Sequence, residues 1–67
     1  MEPFMKTVLV PLAPGFEEIG TLTTVDILRR AGGRVTLAGT QEGALKGARG
    51  IHVLPDDLLE NVLYNDF

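Results

Sequence analysis

The chain has 67 residues, no cysteine and one histidine, which excludes a disulfide framework, a thiolate metal site and a thiol nucleophile within it. A net charge of −3 removes most of the electrostatic case for nucleic acid, and the longest apolar run, residues 8–13, is far short of the ~20 needed to span a bilayer. Hydrophobic residues at 45% and charged residues at 22% are ordinary for a folded chain, but one this short buries only about 60% of the surface its unfolded form exposes.

Residues 1–5 read as a leader, since Met5-Lys6 has the look of an alternative start. The same N-terminus lacks the charged region, long apolar region and cleavage site of a signal peptide, so a cytoplasmic location is expected by default. TVLVPL, residues 7–12, is rich in β-branched residues and stopped by Pro14-Gly15, the pattern of a strand buried on both faces. Pro11 cannot donate to a ladder, so it should sit near the strand's end or turn its missing N–H to a side that needs none. Pro14-Gly15 itself is a turn and not a phosphate loop, because neither GxGxxG nor GK[ST] surrounds it.

From Glu17 the apolar residues Ile19, Leu22, Val25, Leu28 and Ala31 recur at three-residue spacing, with Ile27 beside them, and predict a helix with one hydrophobic stripe. Thr23, Asp26, Arg29 and Arg30 fall on the opposite side. Acids at the start and arginines at the end complement the macrodipole, and Asp26 stands four residues ahead of Arg30 in the favourable order. Gly32-Gly33 should end the helix through a left-handed cap. RVTLAG, residues 34–39, is a second β-branched run, so strand, helix and strand make a βαβ unit with parallel strands.

After a polar loop at 40–43, two short extended pieces are expected near residues 44–46 and 51–54, flanking Arg49 and its glycine neighbours. PDDLLENVL then predicts a short helical turn with Asp56 or Asp57 near its start. A first strand this apolar needs cover on both faces, yet one helix covers one face and the chain stops at residues 64–67, where an α/β protein would launch its next strand. The expectation is that residues 6–67 are the N-terminal part of a larger domain.

Taken in order, VLVPLAPGFEEI, TTVDILRRAGG, VTLAG, GARGIHVLPD and DLLENV resemble the N-terminal portion of the ThiJ/PfpI superfamily, specifically its bacterial Parkinson-protein-deglycase branch. The resemblance covers nearly all of residues 6–67. It implies an α/β, flavodoxin-like three-layer sandwich with a central parallel sheet, usually in a homodimer, with no cofactor and no metal. It also implies chemistry resting on a cysteine at a strand-to-helix elbow, downstream of Phe67. Activities ascribed to such proteins include glyoxalase and deglycase action on reactive carbonyls, peptidase activity and redox-responsive protective roles.

In these relatives the helix opens Glu-Glu-x-Glu or Glu-Asp-x-Glu, and the last acid points at the cysteine. Here the pattern is Glu17-Glu18-Ile19-Gly20, so Gly20 occupies the position of that acid. Losing the carboxyl should change the thiol's pKa, remove a donor to its sulfinate and impair proton transfer most of all. Glu17 and Glu18 either flank the active site or only complement the helix's positive end. Gly20 itself is read as drift, as close packing against another backbone, or as a change of function.

Arg30 and Arg49 resemble family arginines near the dimer interface and the site's mouth, where they would bind an anion or pair with an acid such as Glu17 of a second copy. Without that role they are a solvated helix end and a turn. Arg49 is the stronger candidate, since Gly47 and Gly50 would let backbone N–H groups approach an anion. His52, alternating with Ile51 and Val53, is expected to face solvent. No catalytic residue is assigned within the chain.

The leading expectation is thus a segment of a cysteine-dependent enzyme, with a reactive carbonyl compound or a peptide as substrate and neither nucleic acid nor membrane as partner. The alternative is a non-catalytic, protective or structural family member. A third is a short chain that survives by pairing with another through an exposed sheet edge.

Overall fold

The computed structural model describes residues 6–63, so the expected leader and the closing residues 64–67 lie outside the described residues. TVLVPL forms β1 (Thr7–Leu12) and RVTLAG forms β2 (Arg34–Gly39), paired in parallel with Thr7 opposite Arg34 and Leu12 opposite Gly39. Between them runs α1 (Glu18–Arg30), completing the βαβ unit. A hairpin follows, β3 (Leu45–Lys46) against β4 (His52–Val53), in which Leu45 faces Val53 across the strands. The chain then returns to the first sheet as β5 (Asp57–Leu58), parallel to β2, and ends the described region in α2 (Leu59–Val62). The order across the sheet is β1-β2-β5.

Glycine and proline shape the junctions. Ala13 to Phe16 make a turn closed by Phe16 N donating to Ala13 O at 3.2 Å, with Pro14 second and Gly15 third at φ +86°. That is the type II arrangement, in which the third residue must take positive φ. At the far end of α1, Gly32 N donates to Arg29 O at 3.0 Å and Gly33 N to Leu28 O at 2.9 Å, with Gly32 at φ +91°. These are the two bonds of a Schellman cap, which satisfy carbonyls that the helix leaves open.

Pro11 sits in β1 without breaking its ladder to β2. Lys6 O accepts from Arg34 N at 3.0 Å and Leu12 O from Thr40 N at 2.9 Å, so the even-numbered residues of β1 aim their polar groups at β2. Pro11 is out of phase with them, and its missing N–H faces the other edge.

The core gathers Leu12, Val25, Val35, Leu37 and Leu45, with Val8, Val10, Phe16, Leu22, Leu28 and Val53 packed around it. It therefore lies between one face of the sheet, α1 and the hairpin. β1, expected to be buried on both faces, is half-buried from Thr7 to Val10, because among the described residues α1 covers one face and β1 stands at the edge of the sheet.

Three further expectations need correction. Ile19, at 77% exposure, Ile27 and Ala31 face outward and not into a common stripe. Each three-residue step falls about 60° short of a full turn, so residues twelve apart at that spacing cannot share a face. Arg29, placed on the solvent side, instead reaches the sheet: its Nη2 donates to Val35 O at 2.9 Å and to Asp56 Oδ2 at 2.6 Å. The helical turn expected from residue 55 begins only at Leu59. Asp56 N donates to Leu37 O at 2.7 Å while Asp56 Oδ2 accepts from Leu37 N at 2.8 Å, which draws the chain alongside β2 and makes a strand of Asp57–Leu58.

Candidate functional site

The residues singled out at the start of α1 separate into distinct environments. Glu17 is the N-cap residue, exposed, with no hydrogen bond from its side chain to the helix N-terminus. Glu18 is only 3% exposed. Its Oε2 accepts from Arg49 N at 2.8 Å and from Ile51 N at 3.2 Å, more than thirty residues ahead in sequence. The glycines around Arg49 do let backbone N–H groups approach an anion, and here that anion is the chain's own Glu18.

Burial is the largest influence on the Glu18 carboxyl and pushes its pKa up. The N–H groups of Glu18, Ile51 and Arg49, together with the Arg49 guanidinium, outweigh it and hold the group below the ordinary glutamate value of 4.5. A carboxylate accepting several backbone N–H bonds is stabilised in its charged form. Glu18 Oε1 is buried and has no partner among the described residues.

The turn that receives Glu18 is built around Gly47. Gly47 N donates to Ile51 O at 2.9 Å and Gly50 N to Gly47 O at 3.0 Å, with Gly50 at φ +89°. Two further bonds tie the hairpin to the loop before α1, from Gly15 N to Lys46 O and from Ala48 N to Phe16 O, each 2.8 Å. A Cβ on Gly47 would lie 2.5 Å from Glu18 Cδ and Oε2, so the carboxylate occupies the space that any other residue at 47 would take.

Gly20 lies in the first turn of α1, exposed, three residues after the N-cap. A Cβ there would meet Glu17 Cγ at 3.5 Å, an ordinary contact, and no backbone beyond its own helix among the described residues. Close packing against backbone among the described residues therefore does not explain the glycine. Its carbonyl accepts from Thr24 Oγ1 at 2.8 Å.

Arg30 is solvated and pairs with Asp26 four residues earlier, Nε to Oδ1 at 3.5 Å, and lies apart from the Glu18 cluster. His52 is exposed on β4. Sequence reasoning missed the Arg29–Asp56–Leu37 connection and the depth of Glu18. For Glu18 a signal was present, a carboxylate within a helix start and a Gly-x-x-Gly turn downstream, but nothing local joins the two. Among the described residues no group of His, Asp and Glu side chains is arranged to hold a metal ion, and no helix is long and apolar enough to cross a membrane.

Comparison with known proteins places this geometry in a family. Protein dj-1beta of Drosophila melanogaster is 46% identical over 63 residues, which are 92% of this chain and 34% of that protein. The Parkinson disease protein 7 homolog of Danio rerio is 42% identical over 57 residues, covering 84% of this chain and 30% of its own. Among solved structures, Drosophila DJ-1beta superposes with a TM-score of 0.90 at 43% identity, over 96% of this chain and 35% of that one. A DJ-1 superfamily protein of Salmonella typhimurium gives 0.87 at 36% identity, over 94% and 35%. The chain spans about a third of the length of these relatives. With the DJ-1/PfpI family model matching residues 6–67, and these likenesses in sequence and fold, the chain belongs to the DJ-1/PfpI family.

Proposed function

We propose that residues 6–67 form the N-terminal segment of a single DJ-1/PfpI-type domain whose whole protein is cysteine-dependent. Its substrates would be reactive carbonyl compounds, in the manner of a glyoxalase or deglycase, or peptides, and the same thiol could instead respond to oxidation. The observation that carries this reading is the family match across residues 6–67. The nucleophile would come from polypeptide beyond these residues, and the first turn of α1, with Glu17, Glu18 and Gly20, would lie beside it. Placement on the bacterial deglycase branch, a cytoplasmic homodimer, and roles for Arg30 and Arg49 at the interface or the site's mouth belong to the same reading.

A second reading is favoured by one observation. The open space at Gly20 means that packing among the described residues does not demand glycine there. Drift and a change of function remain, and on the second the protein is a protective or structural member without turnover.

Methylglyoxal consumption by the full protein, with and without Gly20→Glu, separates the two. If the acid was the missing element, wild type is slow and the substitution raises turnover by about 10²–10⁴-fold, the usual worth of a general acid or base. Wild-type turnover unchanged by the substitution would sink the claim about Gly20. No turnover by either, with an elbow cysteine present, would favour the protective reading.

A further inference from the structure

We infer that Glu18 and Gly47 interlock to hold the Gly47–Ile51 turn, and Arg49 with it, against the start of α1, and that this hold loosens when Glu18 takes up a proton. The turn is closed on itself by the two bonds between Gly47, Gly50 and Ile51. Its attachments to the rest of the molecule are of two kinds. Gly15 N to Lys46 O and Ala48 N to Phe16 O are bonds between neutral backbone groups, which do not titrate. The bonds from Arg49 N and Ile51 N end on a carboxylate oxygen, which does.

A hydrogen bond to an ionised acceptor is roughly twice as strong as one between neutral groups. Protonation therefore weakens both bonds at once. The proton would enter at Oε1, which is buried and without a partner among the described residues, so the new O–H is left unsatisfied as well. Gly47 makes the arrangement exclusive: a side chain there would drive the carboxylate out. The ionisable groups on the elements around Glu18 are Glu17 at the N-cap, Lys46 and His52 on the hairpin strands, and Arg49 in the turn. Of these, Arg49 is the one whose charge bears on Glu18, and it favours the closed state.

The test is amide hydrogen exchange in the full protein, followed residue by residue from neutral pH down through the carboxylate range, with the intrinsic pH dependence removed. Protection at Arg49 and Ile51 should fall by about fivefold or more as Glu18 protonates, while Gly15 and Ala48 keep theirs. Glu18→Gln should abolish that acid step, and Gly47→Ala should give the loosened pattern already at neutral pH. The inference is overturned if all four amides lose protection together in global unfolding, or if Gly47→Ala leaves Arg49 and Ile51 protected as in wild type. It is equally overturned by a step centred near neutrality, outside the carboxylate range. Should a variant fail to fold, the wild-type series decides alone.

Discussion

Glycine in the first turn of a helix forgoes about 1 kcal/mol relative to alanine, and at Gly20 no contact among the described residues demands that loss. Gly20→Ala should therefore stabilise the fold by up to about 1 kcal/mol, seen as a higher denaturant midpoint with an unchanged slope. A decrease would mean that something beyond the described residues packs on that position. Glu18 gives the opposite case, a side chain whose charge is held in place. Its pKa is lower folded than unfolded, so its contribution is fully present above the ordinary value of 4.5 and is lost as pH falls through the lower folded value. Glu18→Gln should lower stability at neutral pH and flatten the acid limb of the stability profile. An acid limb as steep as in wild type would assign that limb to other carboxylates, such as Asp57, which Asn61 and the Leu58 N–H also hold below its usual range.

The Schellman cap at the end of α1 rests on one backbone angle. Gly32→Ala, forced to keep φ near +91°, should destabilise by about 1–2 kcal/mol, measured by chemical denaturation. This cap was legible beforehand, as were the bounds of β1 and β2, because β-branched runs ended by glycine or proline carry local information enough to fix an element. β3 and β4 fall within the extended pieces expected at 44–46 and 51–54, but β5 does not follow from its own residues. β3 and β4 each hold two residues, and β5 exists because Asp56 binds Leu37 through both backbone and side chain, a partnership across nineteen positions that no periodicity announces. The same holds for Glu18. Its neighbours in sequence suggest a helix start and a solvated acid; its burial comes from a turn more than thirty residues away. Local signals mislead at Ile19 and Ala31, because a three-residue spacing drifts around the helix axis and carries both residues off the buried face.

Across its principal axes the molecule measures 38 × 26 × 12 Å. The short dimension fits one sheet with helix packed against one side of it. With a core this thin, each fully buried side chain carries a large share of the stability. Leu12, completely buried where β1 meets α1 and the hairpin, is the sharpest case, and Leu12→Ala should cost about 2–5 kcal/mol by equilibrium unfolding. A cost under about 1 kcal/mol would mean that the surroundings collapse to fill the gap.

Pro11 has a consequence for what the chain does when it is partly unfolded. Without it, residues 7–12 would be an uncharged, largely apolar hexamer of strong β-propensity, the composition from which stacked fibrils grow. With it, any copy adding itself to the outward side of that hexamer finds a donor missing from the ladder, which is how natural sequences guard unavoidable oily segments. Pro11→Val should accordingly shorten the lag before thioflavin-positive aggregates form under mild acid or heat, even if the folded state tolerates the change.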